Sequence, residues 1–554
     1  MTVLTPRGPV EVLSPAPARG AELLTPDALG LVALLHDTFA GRRADLLSAR
    51  RHRTNRLLSG QDRLGFAEST ARVREDPAWR VPAPPPGLTR RHVEITGPPT
   101  RTMTVNALNS GADVWMADFE DATSPTWANV VEGQRNLLDA VERRIDFTTP
   151  EGKAYVLGDT TPTIVVRPRG WHLVEKHLRV RGAAVAGAFV DAGLFLFHCA
   201  RRQLARGHGP YFYLPKLESA AEAALWHDVF VVAEEALDLP RGSIRATVLV
   251  ETLPAVFQMH EILHALGEHA AGLNAGRWDY LFSAMKNLRE DPAAVLPDRA
   301  SVTMTVPFMR AYTDLLVQTC HRRGAMAIGG MAAAVPSKAD PVAAQRALAA
   351  VRADKEREAG DGFDGSWVAH PALVPTARAA FGAVLGEADD QRHRLREDVR
   401  VRAEDLLDLG SAGGRVTEAG LRADLRVCLL YLQAWLGGAG AVAVDGFMED
   451  AATVEISRTQ VRVWLRHGTV LEDGRTVDGR LVQRTLDEEF GRALADLRAE
   501  PGAAQRLERA RRIVEGATFG AAFPAFLTTE AYARHLVDLP GVVLPREAPE
   551  PALV

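Results

Sequence analysis

An α/β chain built around a (β/α)8 TIM barrel, with mostly helical regions before and after it, is what the sequence predicts. Three observations carry that expectation. Between Val93 and Pro371, eight short apolar or β-branched runs each end in a polar or glycine-rich turn and alternate with helical patterns. Those runs are nearly continuous in apolar character, as strands of a parallel sheet covered on both faces must be. A proline-rich stretch from Arg80 to Arg91 sets off what precedes, and the pattern turns helical after about residue 376. Eight units favour a barrel, although alternation alone also describes a doubly wound sheet.

Residues 1–90 are a polar, arginine-rich leader closed by "RVPAPPPGLTRR", a boundary signal because proline breaks regular structure. Residues 91–376 carry the eight expected strands: "VEITG", "DVWMADFED", "TIVVRPRG", "YFYLPK", "TVLVET", "DYLFS", "AMAIGG" and "SWVAHP". Their ends supply Asp118, Glu120, Asp121, Arg167, Arg169, Lys216, Glu251, Gly329, Gly330 and His370. The C-terminal strand ends of such a barrel line its active site, so this concentration of charge suggests chemistry. Any strand ends in something polar, so the weight lies in the set. Residues 377–554 are helical. One stripe runs through Leu421, Leu425, Cys428, Leu429, Leu432, Trp435 and Leu436, with Thr417 as N-cap and Gly437 as stop, and a second helix starts within "GFMEDAATVEISRTQVRVWLRHG".

The bulk numbers exclude several classes. With 554 residues, 47% apolar and 24% charged, the chain has the composition of a globular protein large enough for a sizeable core. Its 65 basic and 70 acidic residues leave a net charge of −5, with no footprint of a nucleic-acid binder. No run approaches the roughly 20 apolar residues of a membrane span. Cys199, Cys320 and Cys428 are too scattered for a disulfide framework or a zinc cluster and fit a reducing compartment as small core residues. The N-terminus has no apolar segment after a basic start, and the terminal "EPALV" is not a peroxisomal tripeptide, so the expected location is cytoplasmic.

One stretch points elsewhere. "HEILHALGEHA", His260 to Ala270, opens with H-E-x-x-H, the spacing that sets two zinc-binding imidazoles on one helix face beside a general base. The third histidine, His269, comes one residue early for the extended motif, a rotation of about 100° on a helix. The apolar stripe of that helix passes through Val256, Met259, Ile262, Leu263 and Leu266, leaving His260 and His264 on a partly solvated flank, so the spacing reads as coincidence.

Four residues could do chemistry. Glu251 and Asp279 each adjoin an apolar run, and two carboxylates at neighbouring strand ends suit a hard cation such as Mg2+. Spacing alone favours a helix-opening glutamate and a turn-capping aspartate. Arg167 follows "TIVV" and should point at the barrel mouth, to bind a carboxylate or an enolate oxygen, or else to pair with an acid of "ADFED". Asp450 could be a general base if held near a substrate proton, or simply the N-cap of the helix from Ala451.

Together "VEITGP", "VWMADFEDATSPTWANVVEGQRNL", "RPRGWHLVEKH", "GPYFYLPK", "ETLPAVFQMHEILHAL", "GLNAGRWDYLFSAMKNL", "GGMAAAVPSK", "DGSWVAHP" and "MEDAATVEISRTQV" resemble the malate synthase family, in its A form. The likeness runs in order from about Val93 to Leu465, and the segment before "VWMADFED" is too short for the inserted domain of the longer G form. The resemblance implies a TIM barrel with an N-terminal helical clasp and a C-terminal helical plug, condensing glyoxylate with acetyl-CoA and hydrolysing the thioester to malate and CoA in the glyoxylate cycle. It implies Mg2+ on Glu251 and Asp279, Asp450 removing a methyl proton, and Arg167 facing the enolate. It further implies that backbone amides of Gly276, Arg277, Trp278 and Asp279 hold glyoxylate and that Pro336 flanks the CoA. No nucleic acid or membrane partner is implied; the expected state is a monomer or small homo-oligomer. Where the family usually carries a basic residue, this chain has Gly267, a change suited to ending a helix.

Two rivals stay in view. A lyase of the same Mg2+ barrel type would cleave malyl-CoA or citryl-CoA without hydrolysing a thioester, and the helical region carrying Asp450 argues against it. A non-catalytic CoA-binding protein on the same fold would have no physical need for Arg167, Glu251, Asp279 and Asp450 together.

Overall fold

Eight parallel strands close on one another in the computed structural model, which describes residues 10–337 and 339–537. The first nine residues and the terminal "EPALV" lie outside the described residues. The strands are β1 (Val93–Gly97), β2 (Val114–Asp118), β3 (Thr163–Arg167), β4 (Tyr211–Leu214), β5 (Arg245–Val250), β6 (Ala270–Ala275), β7 (Met326–Ala332) and β8 (Gly365–Val368). β8 pairs with β1 to complete the barrel. Successive side chains alternate between two cores, as the two-residue period of a strand requires. On β2, Val114 and Met116 join Val165, Tyr213, Leu249, Ile328 and Trp367 inside the barrel. Trp115 and Ala117, between them, join the layer beneath the helices.

The expected sixth strand, "DYLFS", is helical. β6 is instead "AAGLNA", just upstream. Alanine, glycine and asparagine carry almost no strand signal, so β6 is set by its partners, pairing with β5 and β7 rather than by its own propensity. Gly272 shows why small residues are needed, since a Cβ there would stand 2.5 Å from the Met326 carbonyl oxygen.

Ahead of the barrel lies α1 (Pro26–Leu58), started by Thr25, whose hydroxyl accepts from the Ala28 N–H at 3.2 Å. The units that follow carry α2 (Arg101–Leu108), α3 (Trp127–Val141), α4 (Gly187–Leu204), α5 (Ala220–Ala236) and α6 (Met259–Leu266). After β6 come α7 (Arg277–Leu288) and α8 (Pro307–Arg322), then α9 (Pro341–Asp361) and α10 (Val374–Leu385). α10 packs on β8 and β1, so the last barrel helix straddles the point where the sequence pattern changes. α1 lies across α4 and α5, and its Arg50 donates to Glu222 of α5 at 2.6 Å and to the Lys216 carbonyl at 2.8 Å. It thereby braces the loop that follows β4.

The C-terminal region contains α11 (Glu418–Leu436), α12 (Ala451–His467), α13 (Gly479–Asp496) and α14 (Ala503–Phe519), which share a second core through Leu425, Leu432, Val461, Trp464, Leu486 and Leu507. Thr417 caps α11 by accepting from Gly420 N–H at 2.9 Å, and Gly437 follows its last turn. α12 packs along α7 of the barrel, and a hairpin of Val442–Val444 and Phe447–Glu449 leads into it. Cys199, Cys320 and Cys428 are all buried thiols. Among the described residues no helix is long and apolar enough to cross a membrane.

Candidate active site

At the C-terminal ends of the strands, a cavity is walled by both the barrel and the C-terminal region. Strand register builds its first element. β2 and β3 pair so that Asp118 lies beside Arg167. The guanidinium forks onto that carboxylate, Nε to Oδ1 at 2.7 Å and Nη2 to Oδ2, while Nη1 stands 3.2 Å from Asp121 and 3.7 Å from Glu120. A buried arginine facing three acids is held permanently charged, pushed further up by those carboxylates although burial alone would lower it. The ion pair with "ADFED" and the position at the mouth both hold.

The second element is an acid cluster. Glu251 directly follows β5, Asp279 sits in the first turn of α7, and with Asp121 they bring carboxylate oxygens within 4.8 Å of one another, all three side chains buried. Lys216, after β4, adopts a left-handed backbone (φ 52°), and its N–H donates to Glu251 Oε1 at 2.6 Å. Its ammonium lies 2.9 Å from Glu120 and from Asp121, and 3.3 Å from Asp279. Burial pushes Glu251 and Asp279 up despite that lysine. Asp279 Oδ1 is buried with no hydrogen-bond partner. An unpaired buried carboxylate oxygen within an all-oxygen donor set is what a hard divalent cation satisfies, so these residues fit magnesium. Lys216 and Asp121 enter the sequence reading only as charged strand ends. Their convergence depends on the loop after β4, which no spacing rule reveals.

Asp450 reaches the same cavity. The Ala451 N–H donates to the Asp121 carbonyl at 3.3 Å, which docks the start of α12 on the barrel mouth. There Asp450 is the N-cap its sequence suggests, accepting from Thr453 N–H at 3.3 Å, with Thr453 Oγ1 accepting in return from the Asp450 N–H at 3.0 Å. Its other carboxylate oxygen is not spent on the cap. Burial, reinforced by Asp121 and Asp118 and opposed by Arg167, pushes its carboxyl up to about 7. A capping role and a cavity-facing role thus coexist in one side chain.

Gly276 and the first turn of α7 line the opposite wall. No side chain caps this helix, which leaves the amides of Arg277, Trp278 and Asp279 without a capping partner beside the cavity these residues line. The Gly276 amide differs from expectation, because its N–H already donates to Tyr312 Oη at 3.0 Å. The Arg277 side chain turns away to the Val302 carbonyl, at 2.6 Å, and stacks on Trp278. Pro336, half-buried, belongs to the loop after β7 that bonds to the hairpin through Val335 N–H and Gly446 O at 2.9 Å, and it is not a lining residue of this cavity.

The H-E-x-x-H pair is nowhere near the mouth. His260 is more buried than its helix face predicts, because Trp79 of the leader covers it edge-on, and it accepts from Arg323 Nε at 2.9 Å. Burial beside that arginine pushes the imidazole down to about 3. Glu261 bonds Thr70 and Arg74, and exposed His264 meets the Trp79 ring. These contacts fasten the leader to the barrel.

Comparison with known proteins agrees with this architecture along the whole length. Family models described as malate synthase N-terminal domain, TIM barrel domain and C-terminal match residues 8–72, 163–409 and 415–535. The malate synthase of Streptomyces clavuligerus is 54% identical over 539 residues, 96% of this chain and 99% of that protein. That of Myxococcus xanthus is 52% identical over 512 residues, covering 92% and 94%, and malate synthase A of Escherichia coli is 45% identical over 512 residues, covering 92% and 95%. With barrel, flanking helical regions and full-length likeness all in accord, the chain belongs to the malate synthase family.

Proposed function

We propose that this chain condenses acetyl-CoA with glyoxylate and hydrolyses the product thioester to malate and CoA, using the cavity at the barrel mouth. The observation that carries the reading is the convergence of Asp450, from the C-terminal region, with Arg167, Glu251 and Asp279, from the barrel, on one cavity. A thioester methyl group is a weak carbon acid, so its proton leaves only if a base and an oxyanion partner act together. Asp450 takes the methyl proton, and Arg167 faces the oxygen on which the enolate charge develops. Asp118, Glu120 and Asp121 fix that guanidinium, so it needs no reorganisation as charge appears. The methylene carbon then bonds to the aldehyde carbon of glyoxylate, whose oxygen gains a proton and becomes the malate hydroxyl. Water adds to the thioester carbonyl, the C–S bond breaks, and CoA leaves as its thiol.

Glu251 and Asp279 would hold magnesium, with Asp121 within reach, and the bound ion would supply Lewis-acid polarisation of the glyoxylate carbonyl. The uncapped amides of Arg277, Trp278 and Asp279 orient the glyoxylate carboxylate at a helix N-terminus, which favours anions. Pro336 flanks CoA beside the hairpin. The enzyme acts in the cytoplasm, in the glyoxylate cycle, as a monomer or small homo-oligomer.

A thiol-release assay tests this reading. CoA release from acetyl-CoA should require glyoxylate, yield malate, stop in EDTA and return with added Mg2+. Cleavage of malyl-CoA without net condensation would replace the synthase with a lyase.

A further inference from the structure

His269 is left over from the H-E-x-x-H run, and the slip that removes it from the α6 face delivers it elsewhere. α6 stops at Gly267, whose φ of 54° and ψ of −126° suit only glycine, and the chain passes through Glu268 and His269 into β6. There the buried His269 places Nδ1 3.1 Å from Nδ1 of the half-buried His227 on α5. Glu268 completes a group whose ligand atoms all lie within 4.8 Å of one another. On its far side, His269 Nε2 stands 3.3 Å from Glu234 Oε2. Glu234 is buried and fixed by the N–H groups of Gly242, at 3.0 Å, and Ile244, at 2.9 Å. A histidine whose outer nitrogen donates to a fixed carboxylate keeps a lone pair on its inner nitrogen, the second-layer arrangement that orients metal-bound imidazoles.

We propose that His227, His269 and Glu268 form a binding site for a divalent transition-metal ion of the zinc class, on the face of the barrel opposite the catalytic mouth. His269 precedes β6 and Gly276 follows it, so the two ends are about 20 Å apart by strand rise. A tetrahedral ion with Zn–N bonds of about 2.05 Å holds two ring nitrogens about 3.3 Å apart, close to the spacing already present. Two imidazole nitrogens with one carboxylate select such ions over magnesium, which prefers oxygen. Without the metal, His227 Nδ1–H donates to the Leu266 carbonyl at 3.1 Å, so binding through Nδ1 shifts that proton to Nε2 and gives up this bond. Arg241 is the cation facing the site, 2.6 Å from Glu268 and 3.9 Å from Glu234. Its side chain is 48% exposed, so an ion that takes Glu268 displaces it toward solvent and is balanced by two carboxylates. A bound ion would clip α5 to the entrance of β6.

Calorimetric titration of the full-length protein with Zn2+ in excess Mg2+ tests the assignment, beside His227→Ala and the surface variant Glu268→Gln. The wild type should bind one zinc per chain that both variants bind at least about tenfold more weakly. Malate-forming turnover in Mg2+ alone should be equal in all three. Equal zinc affinity in wild type and both variants, or no zinc taken up by the wild type, would overturn the site.

Discussion

Asp450 holds its proton to about pH 7 because burial and the nearby Asp121 and Asp118 penalise its charged form more than Arg167 relieves it. A base must be ionised to act, so kcat/KM should fall about tenfold per pH unit below about 7 and level off above it. The stability sign is opposite. A carboxyl raised from 3.8 to about 7 on folding binds its proton more tightly in the native state, so its contribution is lost as pH rises between those values. A pH–rate profile flat down to pH 5 would remove Asp450 from the base role. Arg167 allows a second residue-level test. Lysine keeps the charge but cannot fork onto Asp118 while facing the cavity. Arg167→Lys should lower kcat by about 10²-fold or more with little change in the KM for acetyl-CoA. Steady-state kinetics giving kcat near wild type would contradict the assigned role. Both side chains are visible in sequence, Arg167 as a charge after an apolar run and Asp450 as the residue ahead of a helix. Their partners are not, because Asp121 and Lys216 converge only through loop geometry.

At the scale of elements, the start of α7 and the end of β5 are pressed together. A Cβ on Gly276 would stand 2.7 Å from the Glu251 Cβ, so Gly276→Ala must displace Glu251. The Mg2+ concentration for half-maximal CoA release should rise about tenfold or more, while the barrel stays folded. An unchanged Mg2+ titration would separate Glu251 from the metal. Local chemistry made some elements legible, notably α11 between Thr417 and Gly437, where cap and stop are written in adjacent residues. β6 was not legible, since Ala270–Ala275 has little strand propensity and is formed by its neighbours, whereas "DYLFS" has apolar spacing that suits either structure. Burial of His260 was equally hidden, because the covering Trp79 comes from the distant leader.

For the whole molecule, the alternating rhythm of strands and helices was readable, "DYLFS" apart, because a parallel barrel imposes near-continuous apolar strands along the chain. What sequence could not supply was the docking of the C-terminal region on the mouth. That rests on α12 packing against α7 and on bonds such as Ala451 N–H to the Asp121 carbonyl and Ser124 Oγ to the Trp435 carbonyl, contacts between segments far apart in the chain. The catalytic proposal depends on that junction, since without it the barrel has metal ligands and an oxyanion partner but no base. Asp450→Asn tests it most directly, because asparagine keeps the capping oxygen and removes only the base. Measured with glyoxylate and Mg2+ at pH 8, CoA release should fall by about 10³-fold, with acetyl-CoA affinity retained and Tm no lower than wild type. Turnover within tenfold of wild type would contradict proton removal by Asp450.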